Sequence, residues 1–86
     1  MANIASQKKR ILRSEREHEE NRRLTGAVKT HFRRLEGAVE AGDAETVESE
    51  HRSLIARIDK AVQKGALHPR TAGRKKSRAA RIRAGA

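Results

Sequence analysis

The stretch LTGAVKTHFRRLEGAVEAGDAETVESEHRSLIARIDKAV, residues 24–62, decides the fold. Its large apolar residues first recur at Leu24, Val28, Phe32, Leu35 and Val39. These steps of three and four put them on one side of an α-helix. Arg22, Lys29 and Arg33 fall on the other side. The stripe stops at Ala41-Gly42-Asp43. Gly42 suits the position just past a helix end, and Asp43 suits the N-cap of the helix that follows. Glu45 and Glu48 then lie near the positive end of that helix's dipole. A second stripe runs through Val47, His51, Leu54, Ile58 and Val62, widened by Ile55 and Ala61, and Gly65 closes it. Lys60 and Lys64 point away from this stripe. So short a connection makes the two segments an antiparallel helical hairpin, whose apolar faces must pack on each other to leave water.

Toward the C-terminus, Pro69 opens a third helix reaching about Arg83, because a first-turn proline loses no intrahelical hydrogen bond. Arg70, Arg74, Arg78 and Arg81 form one stripe, with Ala72, Ala79 and Ile82 roughly opposite. That small-residue face docks on the hairpin, and Leu67 anchors the preceding turn. Toward the N-terminus, residues 13–23 are all polar. They offer Arg13–Glu17, Arg16–Glu20 and Glu19–Arg23 as opposite charges four apart, enough to support an exposed helical arm. Lys8, Lys9, Arg10 and Arg13 would sit at its tip; a disordered tail is the alternative. Ile11 and Leu12 are out of phase with the Leu24–Val39 stripe and do not extend that core face. One proline, few β-branched residues and no alternating pattern argue against strands. The expected fold class is all-α, a three-helix bundle whose long N-terminal helix extends beyond the core. It forms a single domain over 1–86, with an arm at 1–23 and the bundle at 24–86.

Charge then narrows the function. The chain carries 21 Lys+Arg against 11 Asp+Glu, a formal net charge of +10. Residues 1–34 hold ten basic and four acidic side chains, residues 35–59 two and seven, and residues 60–86 nine and none. Between Arg70 and Arg83 seven cations fall within fourteen residues. On a helix that is about one charge per 3 Å, well inside a Debye length of about 8 Å. Such charges repel one another until a polyanion neutralises them, and nucleic acid is the partner of matching density. Leu, Ile, Val and Phe make up only 15 of the 86 residues, so the core is thin. The composition is that of a chain at the edge of disorder, for which folding is coupled to binding.

Other classes drop out. Cysteine is absent, which excludes disulfide scaffolds and cysteine-ligated zinc. No apolar run is long enough for a membrane span or the core of a signal peptide. The histidines, at 18, 31, 51 and 68, show no metal-ligand spacing. His51 lies inside an apolar stripe and reads as packed. His18 belongs to the charged arm, and His68 reads as a cap or a phosphate contact. Glu15, Glu17, Glu19 and Glu20 alternate with arginines and suit ion pairing better than metal binding. No phosphate-cradling glycine loop occurs, and so small a bundle leaves little room for a water-excluding pocket. The chain reads as a non-enzyme without cofactor or metal. With one Phe and neither Tyr nor Trp, platforms for base stacking are missing. Lys and Arg on phosphates remain, contacts that recognise the shape of a folded or duplex nucleic acid and read little sequence.

Several phrases of the sequence point further. The opening Met1-Ala-Asn-Ile-Ala-Ser-Gln-Lys-Lys-Arg10, the turn Glu40-Ala-Gly-Asp43, and Ile58-Asp-Lys-Ala61 occur in that order. Lys64-Gly-Ala-Leu-His68 and Arg74-Lys-Lys-Ser-Arg78 follow. Together they resemble the bacterial small-subunit ribosomal protein twenty family over nearly the whole chain. The resemblance implies a three-helix protein with a long first helix, bound to 16S ribosomal RNA within the small ribosomal subunit. Its implied contacts are the RNA's 5′ domain and the long 3′ minor-domain helix, with entry early in assembly. It implies a cytoplasmic, ribosomal location, no membrane association and no homo-oligomer. Carried over by position, RNA contacts fall on Asn3, Ser6, Lys8, Lys9 and Arg10. A second set comprises Lys60, Lys64, His68, Arg74, Lys75, Lys76, Ser77 and Arg78. Arg13, Arg22, Lys29, Arg33, Arg70 and Arg81 join these from the charge pattern alone. Ala5 stands where the family commonly has lysine, and Pro69-Arg70 replaces the more usual Lys-Asn. The arm is also more acidic than usual over Glu15–Glu20.

The expected mechanism is that of a wedge, with two cationic surfaces bridging separate RNA helices while the acidic Glu36–Glu50 end faces away. Reversing Lys75, Lys76 and Arg78 to glutamate is expected to abolish binding. A histone-like DNA-compacting protein shares the basic composition, but needs a spare apolar stripe for its dimer. A cationic membrane peptide needs large apolar residues opposite the arginines, where the third helix has only Ile82.

Overall fold

The computed structural model describes residues 3–85, with side chains from residue 4 onward. Among the described residues the chain forms three helices, α1 over Asn3–Ala41, α2 over Ala44–Gln63 and α3 over Pro69–Ala84. No strand occurs among the described residues, and the all-α bundle with a long first helix is as expected. Both turns follow from their glycines. Gly42 adopts φ 71° and Gly65 φ 78°, the left-handed region that residues with a Cβ avoid. After α1, the Gly42 N–H donates to Val39 O at 3.1 Å and the Asp43 N–H to Ala38 O at 3.4 Å. After α2, the Gly65 N–H donates to Val62 O at 3.0 Å and the Ala66 N–H to Ala61 O at 2.8 Å. Each pair closes a Schellman motif that satisfies otherwise orphaned carbonyls.

The next helix starts immediately in both places. Asp43 is extended and accepts the Thr46 N–H at 3.3 Å and the Thr46 hydroxyl at 2.6 Å. The hydroxyl bond, then the N–H bond, holds the exposed Asp43 carboxyl below the ordinary value of 3.8. His68 caps α3, its Nδ1 accepting the Arg70 N–H at 3.1 Å, with Pro69 in the first turn. Because Nδ1 is an acceptor, the ring proton of neutral His68 resides on Nε2 and faces outward from an exposed side chain.

Burial follows the two stripes. Val28, Phe32, Leu35 and Ala38 of α1 meet Val47, Leu54, Ile58 and Ala61 of α2. Helix α3 adds only Ala72 and Ala79. Leu24, Val39, Ile55, Val62, Leu67 and Ile82 pack at the edges. Ala38 was not in the expected stripe, although it stands three residues after Leu35 and completes the same face. His51 is half-buried within α2's stripe, as its position implied. His31, for which the sequence offers no role, is half-buried with its Nδ1 3.7 Å from Glu50 Oε2. His31 Nδ1 and His51 Nε2 are buried without hydrogen-bond partners among the described residues.

All of residues 4–20 are exposed, and burial begins at Asn21. Seventeen helical residues therefore project about 25 Å from the bundle, which accounts for a longest dimension of 63 Å against 21 and 13 Å. Of the three ion pairs expected along this arm only Arg13–Glu17 closes, at 3.4 Å. The side chains of Arg16, Glu20, Glu19 and Arg23 are exposed, so water competes for each charge and little free energy favours fixing the pair.

Candidate nucleic-acid interface

Helix α3 carries its cations in two different settings. Ala72 and Ala79 face the hairpin, and because both are small, α3 approaches closely and its flanking side chains reach the neighbouring helices. On one flank Lys76 pairs with Asp59, and Arg83 places Nε and Nη2 each 2.7 Å from Glu48 Oε1. On the other, Arg78 Nη2 lies 3.3 Å from Glu36 Oε1. Its guanidinium also stacks 4.8 Å from the Phe32 ring centroid, with Lys75 Nζ at 6.0 Å. These contacts tie α3 to both hairpin helices where its apolar face buries only two alanines and packs Ile82 at the edge. Each exposed pair contributes about 0.2–1 kcal/mol, and a cation over a ring a similar amount.

Part of the acidic segment is engaged within the protein itself. Glu36 and Glu48 hold α3 arginines, and Glu50 lies beside His31. Glu40, Asp43 and Glu45 remain exposed at the turn. Their engaged neighbours were unreadable in sequence because the partners stand 42 and 35 residues apart. Phe32, only 5 % exposed, is a packing platform for α3 and presents no face on which a base could stack.

Opposite the buried alanines, Arg70, Arg74, Ser77 and Arg81 are all exposed. None of these three arginines makes an ion pair among the described residues. They form an outward row about one turn apart, continuous at its N-terminal end with His68. Lys60 and Lys64 are exposed near the end of α2. Lys75 and Lys76 are half-buried, while Arg78 is exposed but drawn to the flank. The expected α3 set therefore divides into an outer row and a strapping group.

The second cationic surface lies on the arm. Ser6, Lys9, Arg10 and Arg13 line a shallow recess along one side, and Lys8 is exposed on another. Asn3 lies in α1, but its side chain is outside the described residues. Arg22, Lys29 and Arg33 are exposed on α1, away from its buried stripe. At the other end of the molecule an open groove of about 400 Å³ is lined by Gly42, Ala44, Val47, Glu48, Ala80, Arg83 and Ala84. Its only charged lining groups are the already paired Glu48 and Arg83. No cluster of three or more His, Asp or Glu suits a metal among the described residues, and no helix there is long and apolar enough to cross a membrane.

The fold and its two cationic surfaces define a class, the small basic helical proteins whose exposed faces suit a polyanion. The family profile of ribosomal protein S20 matches residues 2–83. Small ribosomal subunit protein bS20 of Corynebacterium diphtheriae is 44 % identical over 77 residues, covering 90 % of this chain and 88 % of that protein. The Frankia casuarinae protein of the same name is 44 % identical over 84 residues, covering 98 % and 94 %. That of Oceanobacillus iheyensis is 42 % identical over 80 residues, covering 93 % of each. The chain belongs to the ribosomal protein S20 family, and its role is that of a structural ribosomal protein rather than a catalyst.

Proposed function

We propose that the protein is a structural constituent of the small ribosomal subunit that binds 16S ribosomal RNA through phosphate contacts and stabilises its folding during assembly. It works there as a bridge. The arm over residues 1–23 holds one RNA segment, and the outer row of α3 on the 24–86 bundle holds another. The 5′ domain and the long 3′ minor-domain helix are the segments this reading assigns, in the ribosome of the cytoplasm. The observation that carries it is the outer row of Arg70, Arg74, Ser77 and Arg81, exposed and without acidic partners, at a distance from the cations of the arm tip. Rows of this kind contact phosphates and position a protein on a duplex. Lys60, Lys64 and the outward Nε2–H of His68 extend the same surface.

The test is a salt titration of the full chain against a 16S 5′-domain RNA fragment, with duplex DNA of equal charge as competitor. Between 50 and 200 mM salt the affinity should fall about 10³- to 10⁵-fold if six to ten phosphates are neutralised. Strong preference for the RNA is expected, with far-UV circular dichroism showing helix gained on binding. Equal affinity for duplex DNA would replace this reading with a general nucleic-acid compactor.

A further inference from the structure

Among the described residues, Ile4, Ile11 and Leu12 are the large apolar side chains the bundle leaves in water, with exposures of 61, 58 and 60 %. They are not scattered. Residues seven and eight apart on a helix share a face, so Ile4, Ile11 and Leu12 form one ridge along the tip of the arm. Ser6, Lys9, Arg10 and Arg13 line the recess on the opposite side. Lys8 stands on the ridge side, between Ile4 and the Ile11–Leu12 pair. The tip therefore has an apolar side and a cationic side, and carries positive charge on both. No acidic residue occurs before Glu15.

We propose that the arm tip is an insert clasped between two RNA segments. The recess side lies on phosphates, and the Ile4–Ile11–Leu12 ridge packs on ribose and base-edge surface in the shallow minor groove of a second segment. The inference rests on the RNA-binding reading above and adds a second, apolar mode of contact to it. Charge complementarity selects this occupant. A tip cationic on every side excludes basic partners, and a ridge of three side chains interrupted by Lys8 is too narrow to bury the area of a stable protein interface. The A-form minor groove is wide and shallow and exposes the carbon–hydrogen faces of its sugars beside phosphates. An apolar ridge flanked by a lysine matches that surface, much as apolar wedges do in minor-groove proteins.

Apolar and ionic contacts differ in their salt response, which makes the proposal testable in the full chain. Ile11→Ala with Leu12→Ala keeps good helix formers and all charges. It should weaken binding to the 5′-domain RNA by about 10- to 100-fold with the salt slope unchanged. Lys9→Ala with Arg10→Ala should lower the slope by about 2. Hydroxyl-radical footprinting, which attacks ribose, should show one protected patch lost in the Ile11/Leu12 variant while the other protections persist. Wild-type affinity and an unaltered footprint in that variant would overturn the proposal. So would ridge-dependent binding to phosphatidylglycerol vesicles in the presence of the RNA, or a ridge-dependent dimer in sedimentation. Failure of the wild-type chain to prefer the RNA would instead remove the underlying functional reading.

Discussion

Replacing Arg70, Arg74 and Arg81 together by glutamine removes three positive charges from the outer row of α3 without disturbing a packed atom. All three side chains are exposed, make no ion pair among the described residues, and point away from Ala72 and Ala79. Glutamine has nearly the helix propensity of arginine, so α3 should persist and the thermal melt should match wild type. Each phosphate contact contributes about 0.9 to the slope of log affinity against log salt. Three lost contacts lower that slope by about 2.7. Over the fourfold range from 50 to 200 mM, the loss of affinity with salt then shrinks by about 40-fold relative to wild type. Filter binding of the full chain to the 5′-domain RNA at four salt concentrations measures this directly. A variant with the wild-type slope would refute the assignment of the outer row to phosphates. The complementary variant, Lys76→Gln with Arg83→Gln, should lower the melting temperature, because it cuts the ties to Asp59 and Glu48. Reversing Lys75, Lys76 and Arg78 to glutamate now carries a structural meaning as well. It sets new carboxylates beside Asp59 and Glu36 and beside the face of Phe32, so lost binding in that variant would report lost docking of α3 too.

Three further outcomes concern the Asp43 cap and two glycines. The Asp43 carboxyl is held below its ordinary value by the Thr46 hydroxyl and N–H, so its contribution is fully present above about pH 5 and is lost as pH falls through the depressed folded value. Melts of wild type and Asp43→Asn from pH 6 to pH 2.5 should therefore converge in acid; a constant gap would contradict the cap. Gly65→Ala should destabilise by about 1–2 kcal/mol, because at φ 78° the penalty is in the backbone and an added Cβ meets nothing within 4 Å. Gly37→Ala, in mid-helix and equally open, should stabilise by about 0.5–1 kcal/mol. Urea titrations followed at 222 nm give both signs, and equal signs would contradict this backbone argument.

The helices and their ends were legible in the sequence because each depends on neighbours within four residues, and the short Gly42-Asp43 connection implied the pairing of α1 with α2. Leu24 to Val39 and Val47 to Val62 show their faces by spacing alone. Gly42-Asp43, Gly65 and His68-Pro69 mark their ends by backbone chemistry that any context would impose. The concentration of cations at both ends of the chain, and hence the demand for a polyanion, is likewise a property of the sequence. The helical character of residues 13–20 was not fixed in this way, since an all-polar segment with no face to bury is equally compatible with a tail.

Only the tertiary structure decided which cations are free to meet phosphate. On a helical wheel Arg70, Arg74, Arg78 and Arg81 form one stripe, and nothing local distinguishes Arg78. The docking of Ala72 and Ala79 sets the rotation of α3, which leaves Arg78 on the flank beside Phe32 and Glu36 and brings Lys76 to Asp59. The physical reason is distance along the chain. The acids that claim these cations lie in other helices, and their approach depends on how closely two alanines let α3 settle on the hairpin.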